Sequence, residues 1–364
     1  MRIALIGDGQ SPHLLKWARA VDAAHEVELW VASSRGFLPA FDGLVPAQRR
    51  LALDFDSAHA GGNFALVAAL PQLGAWLRRV DADWLHAHYL TSHGTLAWLA
   101  KRLWRLRGRI VGSAWGSDIL LTPERSHAYR WLTRRVLRAC TLATSDSLHM
   151  ARRMRELGAA EVMTFPFGLE ALPPEPGPKE PWLFFANRGL EPLYRPERVL
   201  AVFAAVAAAQ PEARLVVAND GSLAGHLPTQ ARGLGLSVGD IDEGAQVQFV
   251  GLLDGEAQAR WYARSRWYLS LPLSDSVSVS VLEAMAHGCV PILSDLPANH
   301  ELVRDGDNGF VLGEGELPDR ARMNVMLGRA MEVARLNREW VRTQGLFEPC
   351  VRRFLMRLRE LSGT

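Results

Sequence analysis

Short apolar runs and amphipathic stretches alternate along almost the whole chain, and few folds accommodate that alternation. The first run, RIALIG at residues 2–7, ends in glycine, as a strand buried on both faces does. Ser11 then reads as an N-cap with Pro12 at the first helical position, and a helix follows through HLLKWARAVDAA. HEVELWVA, DADWLHAHY, GRIVGSAW, TLATS and EVMTFPFG read as further strands. GTLAWLAKRLWRL, AYRWLTRRVLRAC and SLHMARRMRELG read as the helices between them. Strands that alternate with helices build a parallel sheet covered on both faces.

The alternation breaks once. LPPEPGPKEP, residues 172–181, has five prolines in ten residues and reads as a stiff linker. Beyond it WLFFAN, a helix from Pro196, ARLVVAND, VQFVG, WYLSLP, a helix from about Val277, VPILS and NGFVL resume the pattern. The expectation is an α/β chain with two doubly wound, Rossmann-like domains: 1–171, the linker 172–181, and 182–345. A last helix, 346–364, would pack back on the first domain. Ligands of such sheets bind at the carboxyl ends of the strands, so the cleft between two facing domains is the expected site.

Bulk properties exclude several classes. The net charge of +2 offers no field for a nucleic acid. Cys140, Cys289 and Cys350 are too widely spaced for a metal motif and too few for a disulfide framework, which points to a reducing, cytoplasmic compartment. The opening MRIALIGDGQ turns polar too soon for a signal peptide, and no window holds the roughly 18 apolar residues of a spanning helix. Three of the 41 basic residues are lysines, and none follows Lys179.

Candidate residues cluster at strand ends. Gly7-Asp8-Gly9 follows the first strand, but Pro12 stands where the dinucleotide fingerprint needs its third glycine. Gly9 either makes a turn or lets a phosphate approach a helix N-terminus. His86 and His88, alternate residues of HAHY, share one face, with no third ligand nearby to make a zinc site. They are structural histidines or acceptor contacts, and His13 in the first helix is placed on the same acceptor side. AWGSDIL brings Trp115, Ser117 and Asp118 to the end of the next strand, where Asp118 either caps a turn or acts on a ligand. Arg188 lies just past WLFFAN and Arg195 at the following helix start, where guanidinium forks can hold a diphosphate or make surface ion pairs.

SDSVSVSVLEAMAHG, residues 274–288, combines several signals. Asp275 or Ser276 can cap the helix, which leaves the amides near Ser278, Val279 and Ser280 at its positive end. Glu283, two turns in, offers an acceptor to a pair of ribose hydroxyls. Phosphate at the helix start and ribose further along is what a nucleotide needs. The alternative is a capped core helix with a surface glutamate.

DSVSVSVLEAMAHGCVPILSDLPANHELVRDGDNGFVL resembles the signature of retaining glycosyltransferase family 4, glycosyl transferases group 1, of the GT-B fold. GDGQSPHLLKWARAV, DWLHAHYLTSHGTLAWLA, WGSDIL, NRGLEPLYRPERVLAVF and VQFVGLL occur in that family's order. The resemblance implies transfer of a sugar from a nucleotide diphosphate sugar, here expected to be a UDP-sugar, to a glycan or lipid-linked acceptor. It implies retention at the anomeric carbon, no metal and no other cofactor, as in bacterial surface polysaccharide synthesis. It makes Glu283 the ribose ligand, Arg188 the diphosphate arginine, and Ser276 to Ser280 the loop whose amides meet phosphate and sugar.

Four departures accompany it. Asp275 stands at the first position of the family's Glu-x7-Glu. Ser276-Val277-Ser278 replaces Gly-Phe-Gly. Trp115 stands where many members carry histidine, which leaves Asp275, Asp118 and His88 as the catalytic candidates. No lysine is available for the diphosphate, so Arg195 is the expected substitute. The alternatives are a nucleotide-sugar epimerase of the same fold and a catalytically weak nucleotide-sugar-binding subunit. WLAKRLWRLRGR and VRRFLMRLREL are basic and amphipathic, so peripheral contact with the inner membrane face is a further expectation.

Overall fold

The computed structural model describes residues 1–53 and 64–363. The chain divides into two compact units, Met1–Pro166 with Phe347–Thr364, and Phe167–Leu346.

The first unit is built on seven strands among the described residues: β1 (Arg2–Gly7), β2 (Glu28–Ser33), β3 (Arg50–Ala52), β4 (Trp84–His88), β5 (Arg109–Ser113), β6 (Cys140–Ser145) and β7 (Val162–Thr164). Their order is β3-β2-β1-β4-β5-β6-β7, and every pairing is parallel. Helices cover both faces, which is why Ile3, Ala4, Leu5 and Ile6 of the central strand are all 0% exposed. Burying an aliphatic side chain of that size contributes about 1.5–3 kcal/mol. The registers Gly7↔Ser33, Ile6↔Ala87 and His88↔Ser113 bring the carboxyl ends of the central strands to one edge.

The helix Phe347–Ser362 completes this unit. Its residues Phe347, Val351, Phe354, Leu355 and Leu358 fall at helical spacing and are at most 3% exposed. Trp17 meets Phe347 and Phe354 edge-on at 5.0 and 5.4 Å, and Arg357 grips Glu161 at 2.7 and 3.0 Å. The apolar face of VRRFLMRLREL is therefore used inside its own unit rather than offered to a membrane.

The second unit holds six strands among the described residues: β8 (Glu180–Ala186), β9 (Arg214–Ala218), β10 (Val247–Gly251), β11 (Ser265–Ser270), β12 (Val290–Ser294) and β13 (Phe310–Leu312). Their order is β10-β9-β8-β11-β12-β13, again all parallel. Phe184 stacks on Trp267 at 5.8 Å and meets Phe203 edge-on at 5.5 Å in the core of one face. Because β8 and β11 are neighbours, with Phe185 opposite Tyr268, the loops that leave them emerge side by side.

The proline-rich stretch is no free-standing linker. Arg338 donates to the carbonyls of Pro173 and Pro174 at 2.6 and 3.2 Å, and β8 already begins at Glu180. Lys179 turns inward and donates to the carbonyls of Tyr262 and Ser265 at 2.5 and 2.9 Å. Among the described residues no helix is long and apolar enough to cross a membrane.

Candidate nucleotide-sugar site

Arg188, two residues past β8, and Asp275, five past β11, meet at 2.7 Å. The two side chains are 16% and 21% exposed. Arg188 also donates to Ser278 Oγ, and its guanidinium lies over the Tyr194 ring, 4.6 Å from the centroid. Burial, the largest single influence, works against the charged guanidinium, but Asp275 together with Tyr268, Tyr194 and Tyr262 outweighs it and holds the pKa above the ordinary arginine value. For Asp275 the balance tips the other way. Burial raises its pKa, and Arg188 and the Ser276 amide, which donates at 3.0 Å, only partly offset that.

The helix Val279–Ala286 starts two residues later than expected. Ser278, not Asp275 or Ser276, occupies the N-cap position, with extended backbone and no capping bond from its own side chain. Its hydroxyl is directed to Arg188 instead. Val281 and Leu282 make the first intrahelical bonds, both to the Ser278 carbonyl. The amides of Val279 and Ser280 precede them at the positive end of the helix, beside the guanidinium. Ser276 and Val277 are buried and anchor the loop.

Glu283 is half-buried on this helix. Its Oε2 accepts from Tyr262 Oη at 3.1 Å and from Gln258 Nε2 at 3.0 Å. Tyr262 Oη in turn accepts from Asn187 Nδ2 at 2.9 Å, and Asn187 Oδ1 accepts from Tyr268 Oη at 2.7 Å. A buried polar chain thus joins Glu283 to the residue preceding Arg188. No local pattern announced Tyr262, Asn187 or Gln258, because each acts through partners far off in sequence.

Arg195 is placed elsewhere. It adopts the left-handed region, φ 51°, at the start of the helix Pro196–Ala209. Both of its terminal nitrogens donate to Glu314, each at 2.6 Å. The structure joins it to the loop after β13, not to the Arg188 cluster.

In the first unit, His86 Nε2 pairs with Ser113 Oγ at 2.7 Å, and the ring lies 4.3 Å from that of His88. His88 is 4% exposed, and among the described residues neither of its ring nitrogens has a hydrogen-bond partner. Burial lowers the pKa of His86 to about 3 and that of His88 well below the usual value, so both rings are neutral. Trp115 lies beside them, 6.0 Å from His88 and 4.8 Å from His13. Among the described residues no three His, Cys, Asp or Glu side chains converge as a metal would require.

Asp118 is fully buried and serves as a clamp. Its two oxygens accept from the amides of Leu90 at 2.8 Å and Trp115 at 2.9 Å. Burial raises its pKa to about 6 even though backbone N–H groups pull it down. The clamped segment Tyr89–Gly94 is a π-helical turn entered through Tyr89 at φ 69°, a costly conformation of the kind found at functional sites. Tyr89 Oη pairs with Ser117 Oγ. Gly9 needs no ligand to explain it. A Cβ there would lie 2.6 Å from the Gly36 carbonyl, and its amide donates to Ser33 Oγ at 2.7 Å.

Residues 2–147 match the family described as glycosyl transferase 4-like, and residues 181–323 match glycosyl transferases group 1. The chain belongs to these group 1, family 4 glycosyltransferases, with the GT-B pair of Rossmann-like folds. Anabaena HepE, solved with UDP and glucose, superposes with a TM-score of 0.77 at 14% identity, over 99% of this chain and 100% of that one. Sucrose-phosphate synthase from Thermosynechococcus elongatus gives 0.73 at 14% identity, over 100% and 99%. The lipopolysaccharide outer core galactosyltransferase WaaB gives 0.68 at 14% identity, over 98% and 99%. No curated protein matches the chain.

Proposed function

We propose that the protein is a retaining, metal-independent hexosyltransferase that takes its sugar from a UDP-sugar bound on the second unit. The observation that carries this reading is the convergence of Arg188, Ser278 and the first amides of the helix Val279–Ala286, with Glu283 further along the same helix. A guanidinium and oriented amides suit the charge that develops on a departing diphosphate. A carboxylate at Glu283 suits the ribose diol. Asp275 holds Arg188 in place and lies next to the transferred sugar in this reading. UDP is the favoured base because HepE, of the same fold, was solved with UDP and glucose.

The acceptor, a glycan or lipid-linked sugar, is assigned to the first unit, around His13, His88 and Trp115. His88 supports this assignment, since a buried imidazole with two unsatisfied nitrogens suits a hydroxyl brought by a ligand. Its low pKa makes it a neutral acceptor, not a cationic acid. Lipid-linked acceptors would put the enzyme at the cytoplasmic membrane face, with a role in bacterial surface polysaccharide synthesis.

The test is calorimetry with UDP, GDP, ADP, CDP and dTDP on the wild type, Glu283→Ala and Arg188→Ala. UDP binding that both substitutions weaken at least tenfold supports the site; about 1.4 kcal/mol corresponds to that factor. Binding indifferent to Glu283 would overturn it. Turnover of a UDP-sugar, with the product anomer read by NMR, then separates a retaining transferase from an epimerase or a mere binding subunit.

A further inference from the structure

We infer that Tyr262, with Gln258, is a positioning residue for the nucleotide ribose, acting through Glu283; this rests on the donor-site reading above. Gln258 and Tyr262 stand four apart on the helix Gly255–Arg264, so they share one face. Gln258 Nε2 donates to Glu283 Oε2 at 3.0 Å, and the Tyr262 hydroxyl lies 3.1 Å from the same oxygen, its one proton shared between that carboxylate and the Ser280 carbonyl, also at 3.1 Å. Two donors from a second helix on one carboxylate oxygen fix the rotation of the carboxylate plane before any ligand arrives. A surface glutamate has no need of that arrangement. A glutamate that must meet two adjacent hydroxyls does, because a carboxylate that has to be ordered on binding loses affinity.

The phenol itself is held tightly. Tyr262 is 1% exposed, and its ring stacks on His287 at 5.4 Å and 15°. Burial, with Tyr268 and Glu283 adding to it, keeps its pKa well above 10, so it remains a donor at any working pH. Its oxygen accepts from Asn187 at 2.9 Å, and Asn187 precedes Arg188. The ribose anchor and the diphosphate anchor therefore belong to one hydrogen-bonded frame.

The experiment compares UDP with 2′,3′-dideoxy-UDP on the wild type, Tyr262→Phe and Glu283→Ala by calorimetry. The wild type should prefer UDP, and Glu283→Ala should abolish the preference. Tyr262→Phe should weaken UDP roughly 3- to 10-fold, the range of one ordinary hydrogen bond, and leave the dideoxy affinity unchanged. If Tyr262→Phe weakens both nucleotides equally, its role is only structural and the inference falls. It falls also if neither changes. A wild type without ribose preference, or a preference that survives Glu283→Ala, takes down the donor-site reading itself and this inference with it. Should Tyr262→Phe not fold, the half-buried Gln258→Leu carries the same test, with the same ribose-selective loss expected.

Discussion

Replacing Asp275 with asparagine removes a charge while keeping the shape, and so tests what the Arg188 guanidinium is for. In the wild type the carboxylate is 2.7 Å from the guanidinium, with 21% and 16% of the two side chains exposed. Removing one partner of a deeply buried pair costs about 3–5 kcal/mol, and of an exposed pair about 0–1 kcal/mol. This pair sits between those limits, and Arg188 keeps the Ser278 hydroxyl and the Tyr194 face. Burial already penalises the ionised Asp275, which lowers the loss further. The expected cost to the empty protein is thus about 1–3 kcal/mol, a fall in Tm of roughly 3–10 °C. A nucleoside diphosphate would supply the missing negative charge. UDP should therefore bind Asp275→Asn at least as tightly as the wild type and raise its Tm by more, while turnover of the UDP-sugar falls. Thermal melts with and without UDP, beside steady-state rates, read all three quantities. If UDP no longer stabilises the variant, Arg188 is not the partner of the anion and the reasoning fails.

Two further outcomes follow from buried groups in the first unit. Asp118 ionises near pH 6 in the fold against 3.8 for the ordinary side chain, so the fold favours its protonated form. The stability this group contributes is present below about pH 4 and lost as the pH rises to 6, a change of about 3 kcal/mol. Asparagine does not titrate and leaves one of the Leu90 and Trp115 amides unpaired. Asp118→Asn should therefore be destabilised by about 1–3 kcal/mol at pH 7, and by more at pH 4.5. Urea unfolding at both pH values checks this, and a gap that does not change with pH refutes it. Phe354→Ala should cost about 3–5 kcal/mol, since the ring is 0% exposed and packs on Trp17 and His86. A loss below 1 kcal/mol by the same measurement would mean that the last helix is not part of the first unit's core.

What was legible in the sequence depended on how far apart the interacting residues lie. β1 could be read directly, because a strand covered on both faces shows as an unbroken apolar run, and Ile3 to Ile6 are all buried. β3 could not, because Arg50, Leu51 and Ala52 are only half-buried and form no run. The helix at Glu283 was visible, but not its start. Local capping rules favour Asp275 or Ser276, whereas Ser278 takes the position and turns its hydroxyl not to the helix amides but to Arg188, 90 residues away. The same limit misplaced Arg195, whose partner Glu314 lies 119 residues on, and hid Tyr262, whose partner Glu283 lies 21 residues on. Asp118 was noticed for its chemistry, yet both its oxygens are directed at backbone amides, so it shapes the Tyr89–Gly94 turn that follows His88. Local pattern reports which strands and helices form. The site's chemistry depends on which loops the sheet order makes neighbours, and here that order sets β8 beside β11 and so Arg188 beside Asp275.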